Sequence, residues 1–154
     1  MPPKKSNNGE WLYEGQEITS ISQFPTGTMG FIYRIELMDG SGRYYIGRKT
    51  ALSTSKRKLT PKEKLLPENA RKTYSYSIKE YTWRSYCGSN TTLKELVKNG
   101  TPISKHILYF CSTKAELTYR ESAEILCSSC LLDPLSFNDW MSCKVYKRFL
   151  TNIK

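Results

Sequence analysis

Hydrophobic and polar positions alternate most clearly between residues 30 and 49, where two short runs rich in Tyr, Ile and Phe flank an Asp-Gly-Ser-Gly joint at 39–42. Period-two alternation around a Gly-rich joint predicts an antiparallel hairpin. Across the first run Phe31, Tyr33, Ile35 and Leu37 fall on one face, and Ile32, Arg34, Glu36 and Met38 on the other. Upstream, Trp11, Tyr13, Ile18 and Ile21, interrupted by Gly15, predict a small strand pair or an arm packed on the domain. Residues 48–73 hold two prolines among many Ser, Thr and Lys with little periodicity, which predicts a long, mobile, basic insertion. In residues 74–90 five Tyr or Trp alternate with Lys, Arg and Ser, a pattern that suits either a packed face or stacking on bases.

Further on, Leu93, Leu96 and Val97 with a cap at Thr91 or Thr92 and Gly100 as terminator predict a short helix. Residues 103–111 read as a strand with Ile107, Tyr109 and Cys111 on one face and Leu108 and Phe110 on the other. Apolar residues on both sides imply a covered, central strand. Ser112 or Thr113 caps the clearest helix, which carries Glu116 in its first turn and ends near Cys127. Asp133 and Pro134 make a turn, and residues 140–150 predict a final amphipathic helix. The expected fold is α+β, a small antiparallel sheet of about three strands flanked by helices, with a basic insertion after the first hairpin. The expected division is a disordered tail at 1–9, an arm at 10–29 and the main domain at 30–154.

Composition sharpens this picture through charge. The net charge is +10 in 154 residues, and residues 43–84 alone hold twelve Lys or Arg against three Glu, a local +9. Solubility does not require such concentration, whereas a polyphosphate partner exploits it; the bland alternative is a solvated loop. Five cysteines, an odd number, and the absence of a secretory pattern point to free thiols in a reducing cytoplasm, and no run of 18 apolar residues exists to span a membrane. Cys127 and Cys130 form one CxxC, with Cys111, Cys143 and His106 as further candidates, but without a second paired spacing buried thiols are the better account and no zinc is expected.

The "FIY" and "YYIG" segments, about ten residues apart on a hairpin, together with "YIGRK", "WRSYCGS", "CSTKAELTYRE" and "FNDW", resemble the GIY-YIG nuclease family in its bacteriophage-encoded branch, related to homing endonucleases. The resemblance covers roughly residues 30–140. It implies a metal-dependent DNA endonuclease, with Tyr33 and Tyr45 at the phosphate and nucleophile, Lys49 and an Arg as cationic support, Glu121 as metal ligand and Asn138 as an orienting group. Mg²⁺, which Mn²⁺ could replace, suits one carboxylate plus a phosphate because it keeps most of its waters. The implied partner is double-stranded DNA in the host cytoplasm, with Arg48, Lys56, Arg57, Lys58, Arg71 and Lys72 along its track and no membrane contact; without a separate reading domain, specificity would need the arm and insertion, or a homodimer on a symmetric site. The family's Arg falls on Ser55 here, which leaves Arg57 or Arg84 for the role, Arg84 being favoured, and its usual His is missing. That departure supports an alternative, a catalytically decayed basic nucleic-acid-binding module.

Hairpin parity provides a structural test. A four-residue loop opposes Met38 to Arg43 and groups Tyr33 with Ile35, Leu37, Tyr44, Ile46 and Arg48, the better amphipathic pattern. A five-residue loop or a bulge instead groups Tyr33, Tyr45, Gly47 and Lys49. The resemblance implies the second register.

Overall fold

The computed structural model describes residues 8–150 and 153. Its strands are β1 (Asn8–Tyr13), β2 (Gln16–Ile18), β3 (Gly30–Leu37), β4 (Tyr44–Thr50), β5 (Leu52–Lys58), β6 (Tyr74–Glu80) and β7 (Ile103–Cys111), and its helices are α1 (Pro61–Lys64), α2 (Thr91–Lys98) and α3 (Lys114–Cys127). Five strands form one mixed sheet in the order β2-β1-β7-β3-β4, and β5 pairs with β6 in a separate ribbon.

The expected sheet of about three antiparallel strands is therefore too small, although the fold is α+β. The arm contributes two strands, closing on itself through Glu14 and Gly15, both at positive φ, as a two-residue hairpin turn demands. β1 then adds parallel to β7, a long-range pairing that no local pattern announces. The insertion is likewise no loose loop. Its strands pair residue for residue from Leu52↔Glu80 to Lys58↔Tyr74, and a capping box of Thr60 and Glu63 starts the short helix at its tip. Both faces of this ribbon are largely exposed, so its sequence shows no hydrophobic alternation. Of the expected tail, residues 8 and 9 belong to β1, and residues 1–7 lie outside the described residues. The final helix is also absent. Residues 140–146 are irregular and end in a 3-10 turn at Lys147–Phe149, with Trp140, Tyr146 and Phe149 exposed; a short amphipathic segment that buries little has nothing to hold it helical.

Two cores cover the sheet. On one face Trp11, Phe31, Tyr33, Ile35 and Ile107 pack with Trp83 and with Leu93 of α2, and on the other Ile32, Ile46 and Cys111 pack with Leu117 and Ile125 of α3. Ile107 and Cys111 thus lie on opposite faces rather than together. Ile32 opposes Tyr109 while Tyr33 opposes Ile107, so Leu108 is an extra residue that reverses the parity of β7. Asn90 caps α2 in place of Thr91 or Thr92, and Thr113 caps α3.

Candidate active site at the edge of β4

The hairpin takes the five-residue register. Leu37 N–H donates to Arg43 O, and Tyr33 opposes Gly47 while Ile35 opposes Tyr45. Phe31, Tyr33, Ile35 and Leu37 therefore share a face with Tyr45, Gly47 and Lys49. The fully buried Tyr33 ring reaches across Gly47 toward the outer edge of the sheet. A Cβ at Gly47 would stand 2.5 Å from Tyr33 Oη and 2.9 Å from Tyr45 Cε1, so only glycine lets the two phenols converge.

The hub of the cluster is Tyr86. Its hydroxyl lies 3.5 Å from that of Tyr33, and Lys49 Nζ sits 4.4 Å from the centre of its ring. The loop that carries it is held from the sheet by Lys105, a fully buried lysine of β7 whose Nζ donates to Arg84 O at 2.8 Å and to Tyr86 O at 3.5 Å. Burial lowers the Lys105 ammonium to about 8. Tyr45 shares a 2.7 Å hydrogen bond with Ser89 in the same loop.

On the helix side, α3 brings Glu121 to β4, where Arg48 Nε pairs with its Oε2 at 3.4 Å. Tyr45, Tyr86, Arg48 and Glu121 line one open cleft of about 760 Å³, which Asp139 and Lys144 also border. A second cleft of about 420 Å³ shares Arg48 and Tyr86 with it and adds Lys49, Ser53, Tyr81 and Lys114. Together they make a trough over the edge of β4, acidic at Glu121 and basic on either side.

Burial dominates the electrostatics. It pushes the Tyr33 phenol well above its ordinary value, with Tyr86, Tyr45 and Glu121 acting the same way. Tyr45 is raised and Lys49 lowered for the same reason. Burial also raises the Glu121 carboxyl, against the opposing charge of Arg48. At neutral pH Tyr33 is accordingly a neutral phenol.

Asn138 lines the larger cleft, but its polar atoms are bonded to the backbone of β4. Its side-chain oxygen accepts from Ile46 N–H at 3.0 Å and its amide donates to Ile46 O at 2.8 Å, while Tyr44 N–H donates to Leu135 O and Phe137 N–H to Tyr44 O. Residues 135–138 therefore pair the outer edge of β4 up to Ile46, beside the site. Neither candidate arginine joins the cleft. Both guanidinium nitrogens of Arg84 that form bonds reach Glu10 of β1, at 3.0 and 2.9 Å, beside a separate cavity, and Arg57 is held by Glu63 at 3.0 and 2.7 Å in the ribbon. Lys56 lies over Tyr74 in the ribbon, 3.9 Å from the ring centre, while Lys58 at the end of β5 and Arg71 and Lys72 in the connection to β6 are exposed. Of the cations named from sequence, Lys49 and Arg48 are the ones at the cleft.

Tyr86 and Ser89 escaped the sequence reading. Their signal was the aromatic run at 74–90, whose weight fell on Arg84, two residues from the group that packs on Tyr33.

The family model described as "Putative endonuclease segE, GIY-YIG domain" matches residues 11–142. The chain belongs to this GIY-YIG family. Neither a curated protein nor a solved structure matches it. Membership implies an endonuclease, and the matched span takes in the end of β1 and all of β2 as well as the hairpin, the ribbon and α3. No helix among the described residues is long and apolar enough to cross a membrane.

Among the described residues no three His, Cys, Asp or Glu side chains gather at a point. The donor set at the cleft is Glu121, with Asp139 at its border, and both are oxygen ligands. One or two carboxylates in an open cleft fit a hard divalent cation that keeps most of its waters.

Proposed function

We propose that this GIY-YIG protein is a metal-dependent endonuclease that hydrolyses phosphodiester bonds in double-stranded DNA. The observation that carries this reading is that Tyr45, Arg48 and Glu121 line one cleft over the edge of β4, with Lys49 in the adjoining cleft and the buried Tyr33 hydroxyl packed beside Tyr45 at Gly47. Phosphodiester hydrolysis needs positive charge at the scissile phosphate, an activated water and help for the leaving oxygen. Arg48 and Lys49 supply the first, flanking the place where the phosphate would lie. Tyr33, neutral and rigidly packed, donates its hydroxyl proton to a phosphate oxygen or holds the attacking water. Tyr45, tethered to Ser89, frames the other side. Glu121 would hold Mg²⁺ or Mn²⁺, which when bound stabilises charge on the phosphate and lowers the pKa of a water. Asn138 orients these groups by fixing Ile46, one residue before Gly47. A phage-encoded, homing-type role and a homodimer on a symmetric site are consistent with this chemistry.

Incubation with supercoiled plasmid and Mg²⁺ tests the proposal. The unaltered protein should nick or linearise the plasmid, and Glu121→Ala and Tyr33→Phe should each abolish most of that activity with binding retained; full activity in either variant would overturn its assigned role. One observation favours a second reading. Arg57 and Arg84 are both engaged by carboxylates away from the cleft, as they would be in a decayed site that binds nucleic acid without cutting it. That reading predicts salt-sensitive binding and no cleavage with any divalent cation.

A further inference from the structure

The two faces of the β5–β6 ribbon differ sharply. Pairing of Ser53 with Lys79, Ser55 with Ser77 and Arg57 with Ser75 puts four serines and two cations on one face. The other carries Thr54, Lys56 and Lys58 with Tyr74, Tyr76 and Ile78, and Tyr76 and Ile78 are 65% and 76% exposed. At its root each face runs into a different cavity. Ser53 and Tyr81 line the basic trough with Arg48, Lys49 and Lys114, and the Ser53 hydroxyl donates to Tyr81 Oη at 3.2 Å. On the aromatic face, Glu80 accepts from Trp83 Nε1 and borders the other cavity with Glu10. Each face carries two cations, but only the serine face is continuous with the basic trough, through Ser53, whereas the aromatic face runs into the cavity that Glu80 and Glu10 border.

The root is also stiff. Ala51 and Leu52 N–H both donate to Met29 O at 2.9 Å, and Tyr81 N–H donates to Ala51 O at 2.8 Å, so the ribbon's two strands are tied to the start of β3 and to each other. At the far end Leu59 N–H donates to Thr73 O. Seven residues per strand extend roughly 23 Å, and a two-stranded ribbon is among the few elements that the major groove of B-DNA, about 12 Å wide, admits. Serine side chains let the ribbon backbone approach base edges closely while their hydroxyls donate or accept.

We infer that the serine face of the β5–β6 ribbon lies in the major groove of the duplex whose backbone crosses the trough, and reads it there. This rests on DNA being the substrate of the proposed endonuclease. Lys79 would meet a flanking phosphate, Arg57 being held by Glu63, and the aromatic face points away from the DNA.

A matched pair of variants in adjacent positions of β6 tests this, because Ser77→Glu and Ile78→Glu add the same charge to opposite faces. Affinity for a fluorescent duplex is measured with the full chain in EDTA, so that binding is read without cleavage. Ser77→Glu should weaken binding by about tenfold or more, since a like charge set against DNA is strongly unfavourable, and Ile78→Glu by about twofold at most. Ser75→Glu against Tyr76→Glu repeats the comparison, and circular dichroism of all four shows whether the ribbon has folded. Methyl green, a major-groove ligand, should displace the protein, and netropsin, a minor-groove ligand, should not. Equal losses in folded members of both pairs, a larger loss on the aromatic face, or displacement by netropsin alone would overturn the inference. Plasmid cleavage is scored separately: asymmetric binding without cutting leaves the ribbon's role intact and removes the nuclease reading, whereas cutting with symmetric binding does the reverse.

Discussion

Two antiparallel pairs follow one another along this chain and are held in opposite ways. In β3–β4, Phe31, Ile32, Tyr33, Ile35 and Ile46 are fully buried between two cores, and the strands lie within the main sheet. In β5–β6 the side chains are mostly exposed, and the pairing rests on its own ladder, its tied root and a capped tip. Burial gives the first pair its chemistry. It moves Tyr33, Tyr45, Lys49 and Glu121 in the direction of their uncharged forms while packing holds them at a fixed edge. Exposure gives the second pair its reach, with side chains open to a partner.

The comparison breaks most directly under matched truncation. Ile46→Ala in β4 should lose about 2–5 kcal/mol of stability by opening a cavity, whereas Ile78→Ala in β6 should stay within about 0.5 kcal/mol, both read by urea denaturation. Similar losses would mean that the ribbon face is buried after all. Glu121→Gln should reduce plasmid cleavage by on the order of 10²–10³, the scale on which a single transition-state contact is felt, with duplex affinity little changed. Gly47→Ala is next. Its methyl group would force Tyr33 and Tyr45 apart, costing about 1–3 kcal/mol and most of the cleavage, and a variant of native stability and full activity would show that the phenols need not converge there.

The smallest effect concerns pH. Because burial raises the Glu121 carboxyl above its ordinary 4.5, the native state holds its proton more tightly than the unfolded chain. Stability from this group is fully present below pH 4.5 and is lost as pH rises through the native value. Glu121→Gln, which cannot ionise, should therefore melt slightly above the unaltered protein at pH 7, and the gap should close below pH 4.5. A variant that melts lower at pH 7 would mean that the Arg48 pairing outweighs burial.

The hairpin, its Gly-rich joint, the α3 cap and the glutamate on that helix were legible because each is a local pattern: alternation, a turn residue, a cap three residues before an acid. Local pattern favoured the wrong hairpin register, however, since a four-residue loop groups the aliphatic side chains better. Packing reversed that preference. With Tyr33 and Tyr45 on a face that Trp11, Trp83 and Leu93 cover, aromatic rings fill the core and Gly47 makes room for them. Arg84 misled for a related reason: it sits in the right segment, but Glu10 is 74 residues away in sequence and beside it in space.

By itself the amino-acid sequence determined the family, the strand that carries Tyr45, Gly47 and Lys49, the helix that carries Glu121 and the concentration of positive charge between residues 43 and 84. Those are properties of neighbours along the chain. Tertiary structure alone decided that β1 joins β7, that Tyr86 is the hub of the site, that Lys105 holds its loop and that the basic insertion is a two-faced ribbon. Each depends on contacts between residues far apart in sequence, whose free energy exists only once the sheet has assembled.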